Sequence, residues 1–211
     1  MFQYSFFEHK IVGLLVPTEF EWMAMSDLIK QKFPDIPIRI SGMGKVRAAL
    51  AAADLSIKNL CETVLLTGFC GGVRGLRVGD TVTAGRVFEG DFSSSGLEKI
   101  GDDIERHFVD VKPLHGIEKI PFVCQDHILT RDEYANRITW GKLATDMESY
   151  GAACAVGSNL RVIKVVSDII NPDSASDFKK AADRLGRKMA LATINAIATI
   201  MTESTKGGGH E

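Results

Sequence analysis

The chain has 211 residues, 45% of them apolar and 25% charged, a globular composition that excludes disordered and collagenous classes. That length makes one domain, or two at most, and buries roughly 70 to 75% of the unfolded surface, so the chain needs no disulfide or metal staple. Twenty-five Lys plus Arg against twenty-seven Asp plus Glu give a net charge of -2, without the basic excess of a general nucleic-acid binder.

No apolar run reaches the roughly 18 residues of a membrane helix, and Met1 to Lys10 lack the basic and then apolar pattern of a secretory signal. The expectation is a soluble, cytoplasmic protein without nucleic-acid or membrane partners. Cys61, Cys70, Cys124 and Cys154 each lie in an apolar stretch without C-x-x-C spacing, and are read as buried free thiols. The five histidines show no metal spacing, so neither metal nor cofactor is expected.

In chain order, Ile11 to Val16 is a continuous apolar run, the pattern of a strand covered on both faces. Thr18 with Glu21 three residues on is a capping box, and Trp22, Met25, Leu28, Ile29 and Phe33 continue at helical spacing until Pro34. Ile38 to Ile40 is extended, Ser41 to Gly44 turns, and an Ala-rich helix runs from Val46 to Ile57. Thr63 to Leu66 is another buried strand, Thr67-Gly68-Phe69-Cys70-Gly71-Gly72 a glycine-rich corner, and Val78 to Thr83 a turn into a strand. Short strands are predicted at Phe122 to Cys124 and Ile128-Leu129, a small-residue helix at Met147 to Val156, and a strand at Arg161 to Val166 ending at Ser167-Asp168. The last helix starts near Ser176. The chain is thus a single α/β/α domain over residues 1–204 with a central mixed, partly parallel sheet, followed by a flexible tail at 205–211.

Ligands of open α/β sheets bind beyond the carboxyl ends of strands, which singles out Thr18 to Glu21, Ser41 to Lys45, Thr67 to Gly72, Met147-Glu148 and Ser167-Asp168. Each has a plain structural explanation. Glu21 completes a capping box, Glu148 sits in a first helical turn where the dipole favours a carboxylate, and Asp168 could serve a turn. Ser41-Gly42-Met43-Gly44-Lys45 lacks P-loop spacing, which argues against nucleotide triphosphate hydrolysis.

Taken in order, Val16-Pro17-Thr18-Glu19-Phe20-Glu21, Ser41 to Lys45, Thr67 to Gly72 with Val78-Gly79-Asp80, Asp146-Met147-Glu148-Ser149 and Val166-Ser167-Asp168 resemble the successive signatures of the purine nucleoside phosphorylase and nucleosidase superfamily. The branch most resembled is that of the methylthioadenosine/S-adenosylhomocysteine nucleosidases, with hopanoid-associated nucleosidases as near relatives. This resemblance implies hydrolysis of the N-glycosidic bond of a 5′-substituted adenosine with release of adenine. Asp168 then protonates purine N7, Glu148 grips the 2′ and 3′ hydroxyls with Met147 packed on the ribose, and Glu21 activates water, with Glu19 as the fallback. Ser41 is a second water ligand, Phe69 and Ser167 line the site, and Tyr134, in Thr130-Arg131-Asp132-Glu133-Tyr134, stacks on the base.

Phosphorylases of the superfamily carry arginines that are missing here, so water is the expected nucleophile; phosphorolysis through Lys45, Arg47 or Arg74 is the alternative, as is a non-catalytic nucleoside-binding relative. Two departures stand out. Lys164 occupies a position commonly held by arginine, and the nineteen residues between Glu21 and Ser41 are too few for a strand pair usual in the family. A homodimer is expected from the resemblance, with the alanines at 48–53 and 152–155 offering close-packing faces.

Overall fold

A computed structural model describes residues 10–73, 75–91, 107–127, 141–170 and 174–207. Among the described residues, eight strands form one mixed sheet: β1 (Lys10–Val16), β2 (Ile38–Ile40), β3 (Cys61–Val73), β4 (Thr81–Glu89), β5 (Phe108–Asp110), β6 (Glu118–Cys124), β7 (Leu143–Asp146) and β8 (Leu160–Ile169). The α-helices of the described residues flank it: α1 (Glu19–Lys32), α2 (Lys45–Ile57), α3 (Ser149–Val156) and α4 (Ser174–Gly207). The helices divide between two cores. Ala48, Ala52, Leu55, Ala152 and Ala153 of α2 and α3 pack with Leu66, Val82, Phe122 and Val162 of the sheet. Met25 and Ile29 of α1 and Met189, Ile197 and Ile200 of α4 pack with Leu14, Leu65, Ile163 and Val165. A strand whose alternate residues enter two different cores has no polar face, which explains the apolar run Ile11 to Val16 of β1 and the apolar pairs Val162-Ile163 and Val165-Val166 of β8.

Within the described residues the predicted elements are present, with informative differences. The glycine-rich corner is a continuation of β3, which runs unbroken for 13 residues. Its first half pairs in parallel with β1, and once β1 ends, Gly71 to Val73 pair antiparallel with β7. A register shift between Cys70 and Gly71 against β8 marks the bend. Because β3, β8, β4, β6 and β7 pair in a closed circuit, this part of the sheet curls on itself, leaving β2 at an edge beyond β1. Strand β8 continues through Ser167 and Asp168, and α3 begins only at Ser149, so Met147 and Glu148 form the junction between β7 and helix. Helix α4 runs to Gly207, into the segment predicted as a flexible tail. Ile128-Leu129 lies outside the described residues.

Three of the cysteines are buried thiols, but Cys154 is exposed, because its position on α3 faces away from the sheet. The close-packing alanines are also differently employed. Ala48, Ala52, Ala152 and Ala153 are buried within the subunit, while Val46, Leu50 and Ile57 on the opposite face of α2, with Met43 just before it, are 59 to 72% exposed. Among the described residues no helix is long and apolar enough to cross a membrane.

Candidate active site

Strand β3 is the floor of the site. In its register with β8, Gly68 lies opposite Lys164 and Gly71 opposite Asp168, while Gly71 also faces Thr145 of β7. Two of its glycines are required by space. A Cβ at Gly68 would stand 2.5 Å from Glu21 Oε1, and one at Gly71 would stand 2.8 Å from Thr145 Oγ1 and 3.7 Å from Asp168 Oδ2. Only a bare backbone lets carboxylates from α1 and β8 approach the strand this closely.

Glu21 reaches the site from the first turn of α1, on the same helical face as Met25 and Ile29. Thr18 caps the helix by accepting from Glu21 N at 3.2 Å, and its hydroxyl donates to Glu21 Oε2 at 2.8 Å. Glu21 Oε1 accepts from the backbone N–H of Phe69 at 2.8 Å. The residue therefore completes the cap and also belongs to the site: it is 2% exposed, and burial holds its carboxyl above the ordinary range despite Lys164 and these hydrogen bonds. Glu19, two residues earlier, is exposed to solvent.

Lys164 is the centre of charge. It stands in the middle of β8 with no exposed surface, its Nζ 3.4 Å from Glu148 Oε2 and 3.5 Å from Asp146 Oδ2. Burial pulls an ammonium's pKa down, but the charges of Asp146, Glu148 and Glu21 outweigh it and leave Lys164 above its ordinary value. Glu148 is pushed up to about 7, first by burial and then by Asp146 and Glu21, against the opposing pull of Lys164. Asp146 uses Oδ1 to accept from the Ser149 hydroxyl at 2.6 Å and from its backbone N–H at 3.3 Å.

Asp168 closes the arrangement near the end of β8, 8% exposed. Its Oδ1 lies 2.6 Å from the hydroxyl of Ser167, which can donate instead to the Cys70 carbonyl at 3.2 Å. The described structure thus brings together Glu21, Glu148, Ser167 and Asp168. Met147 is half-buried beside Glu148. Ser41 follows β2, its backbone N–H on the Val16 carbonyl at 2.9 Å and its hydroxyl on the Gly42 carbonyl at 2.8 Å, so that donor is spent locally. Phe69 contributes its backbone N–H to Glu21, whereas its side chain is buried in the core under α1 and α4. Tyr134 lies outside the described residues, as does Arg74.

Sequence reasoning passed over Asp146, although an acid two residues before Glu148 and three before a helix-starting serine is a capping signal. It treated Lys164 as a departure when a lysine set between Val162-Ile163 and Val165-Val166 in mid-strand demands buried counter-charges. Lys45, weighed as a phosphate ligand, is engaged elsewhere: its ammonium lies 2.8 Å from Glu89, 2.7 Å from Asp91 and 3.7 Å from Asp126.

Residues 34–128 match the model of the phosphorylase superfamily. A 5′-methylthioadenosine/S-adenosylhomocysteine nucleosidase of Thermotoga maritima is 28% identical over 162 residues, 72% of this chain and 74% of that protein. One from Mycobacterium bovis is 25% identical, covering 78% of this chain and 82% of that one. The crystal structure of such a nucleosidase from Colwellia psychrerythraea 34H, in complex with adenine, superposes with a TM-score of 0.74 at 22% identity, covering 92% of this chain and 96% of the other. Residues 34–128 are thus similar to the phosphorylase superfamily, and over most of its length the chain is similar to methylthioadenosine/S-adenosylhomocysteine nucleosidases.

Proposed function

We propose that this protein is an N-ribosyl hydrolase that cleaves a 5′-substituted adenosine into adenine and the free ribose derivative. The observation that carries the reading is the convergence of three buried acids: Glu21 of α1 against Gly68 and Asp168 of β8 against Gly71 of one strand, with Glu148 at the start of α3 beside Lys164, which lies opposite Gly68. In the reaction the C1′–N9 bond breaks with its electron pair passing to the purine, while Asp168 gives a proton to N7 so that adenine leaves neutral. Water adds to C1′ from the opposite face and surrenders its proton to Glu21, whose burial-raised pKa makes it a stronger base. Glu148 accepts from the ribose diol and, as an anion beside the sugar, favours the positive charge that grows there in the transition state.

Ser167 suits the proton's departure. While Asp168 is protonated, the Ser167 hydroxyl can accept from the acid and donate to the Cys70 carbonyl; once Asp168 is ionised it turns to donate to Oδ1. Met147 and Tyr134 complete the binding of sugar and base in this reading, Phe69 supports Glu21 through its backbone N–H, and Ser41 helps to hold the water through its hydroxyl oxygen.

Hydrolysis is favoured over phosphorolysis by charge. A carboxylate about 4 Å from the nucleophile repels each unit of phosphate charge by about 4 kcal/mol at an effective dielectric near 20. Lys45 is already surrounded by carboxylates and cannot offset that. The enzyme works in the cytoplasm as a homodimer, with Met43, Val46, Leu50 and Ile57 as the apolar contact in place of the buried alanines. Adenine release assayed across 5′-modified adenosines, with and without phosphate, tests the reading. Phosphate-independent release of free sugar is expected, and a ribose 1-phosphate product would overturn hydrolysis.

A further inference from the structure

Glu148 occupies the N-cap position of α3, yet its side chain makes no capping hydrogen bond. The orphan N–H at this helix start is instead served by Asp146, whose Oδ1 accepts from Ser149 N while also receiving the Ser149 hydroxyl. Asp146 is 8% exposed, and its second oxygen, Oδ2, has no hydrogen-bond partner among the described residues; it stands 3.5 Å from the Lys164 ammonium, which lies 3.4 Å from Glu148. The backbone fixes this arrangement, since Asp146 ends β7 opposite Cys124 of β6 and its carbonyl accepts from Gln125 N at 3.0 Å.

From this geometry we infer that Asp146 is a positioning residue for Glu148. One of its oxygens takes over the capping of α3, which frees the Glu148 carboxylate from the helix end, and the other holds the Lys164 ammonium against Glu148. The inference rests on the reading of Glu148 as the ribose-binding carboxylate. The groups that act on Glu148 are Lys164 of β8, Asp146 of β7 and Glu21 of α1, while the nearby Cys124 thiol is kept neutral chiefly by burial. In that surrounding the Asp146 charge helps to hold the Glu148 proton, and both carboxylates face the one Lys164 ammonium.

Two variants test the role. Asp146→Asn keeps an oxygen for Ser149 and removes the charge; Asp146→Ala removes both. The titration of Glu148 is followed in the ligand-free protein by carboxyl-carbon NMR on ¹³C-labelled glutamate, with Glu148→Gln assigning the resonance. In Asp146→Asn the Glu148 midpoint should move down by at least about half a pH unit, because a neighbouring negative charge is gone. Asp146→Ala should raise KM for the ribonucleoside about tenfold, with a smaller rise for its 2′-deoxy counterpart, because the lost contact is to the diol. An unmoved midpoint in Asp146→Asn overturns the inference whether or not the protein cleaves nucleosides, and equal weakening of both nucleosides overturns the positioning role. If Glu148→Gln leaves the preference for ribonucleosides intact, the assignment of Glu148 itself fails, an outcome distinct from either of these.

Discussion

Two lysines in this molecule are each faced by three carboxylates, and they have opposite physical characters. Lys45, at the start of α2, has 13% of its side chain exposed and makes short contacts of 2.7 to 2.8 Å to Asp91 and Glu89. Burial would raise the Asp91 carboxyl, but its hydrogen bonds to Lys45 and the Asp126 N–H outweigh that and leave it below the ordinary range. Lys164 has no exposure and longer contacts of 3.4 and 3.5 Å, and the carboxyls of Glu148 and Glu21 around it lie above the ordinary range, chiefly through burial. The surface group is a satisfied clamp tying α2 to the ends of β4 and β6. The buried group holds more acid than its one cation neutralises, a state suited to exchanging protons and gripping hydroxyls.

The sharpest way to break this comparison is to remove the buried cation. Lys164→Met is close in volume but leaves Glu21, Asp146 and Glu148 together without a positive charge, which is expected to cost about 3 to 5 kcal/mol at neutral pH. The acids can answer only by taking up protons, so part of the loss should return as pH falls towards 5. Urea denaturation at the two pH values measures both effects. A stability within 1 kcal/mol of wild type at neutral pH, as about expected for a surface pair, would remove the distinction between the two clusters.

Next in size is the chemistry on β8. Asp168→Asn retains an acceptor for the Ser167 hydroxyl but has no proton to give to N7, so kcat should fall on the order of 10²-fold or more while nucleoside binding survives. Equilibrium binding of a substrate beside single-turnover rates separates the two. Wild-type turnover in a correctly folded Asn variant would shift the acid role away from Asp168.

How much of this was legible beforehand depends on the kind of signal. Apolar runs and the Thr18 capping box located β1, α1 and β8, because strand burial and helix capping are local properties. The long reach of β3 was hidden, since glycines that read as a corner are there to let side chains from elsewhere approach. Glu21 could have been separated from Glu19 by periodicity alone: it falls four and eight residues before Met25 and Ile29, on the buried face of α1. The pairing of Asp146 with Lys164 was not visible, because β7 and β8 are brought together by strand pairing through β3 and not by proximity in the chain.

A pH experiment sharpens the comparison further. Glu148 lies near 7 in the folded protein, above its ordinary value, so the folded state holds a proton that the unfolded chain has already released. Its contribution to stability is therefore fully present below about pH 4.5, and is lost as pH rises through about 7. Lys164, which is raised, keeps its charge throughout that window. The melting temperature of wild type should fall relative to that of Glu148→Gln between pH 5 and about 7.5, since the neutral variant has no proton to lose. Parallel curves for the two proteins would mean that Glu148 titrates as an ordinary surface carboxylate.

The smallest effect is expected at the other lysine. Lys45→Met removes the cation shared by Glu89, Asp91 and Asp126, yet these side chains are 21 to 51% exposed and can be rehydrated where they stand. The helix start also keeps its other tie, because the backbone N–H of Lys45 still donates to Asp126 Oδ1 at 2.8 Å. The loss should then be about 1 kcal/mol or less, the size of a partly solvated ion pair. Salt distinguishes it from the buried cluster: repulsion among exposed carboxylates is screened within about 10 Å at 0.1 M ionic strength, so the deficit should shrink as salt is added. No such relief should reach Lys164→Met, whose uncompensated charges are closed off from ions as well as from water. Unfolding free energies of both variants at low and high salt provide the measurement. If Lys45→Met proved as costly as Lys164→Met and equally insensitive to salt, exposure would not be what separates the clamp from the site.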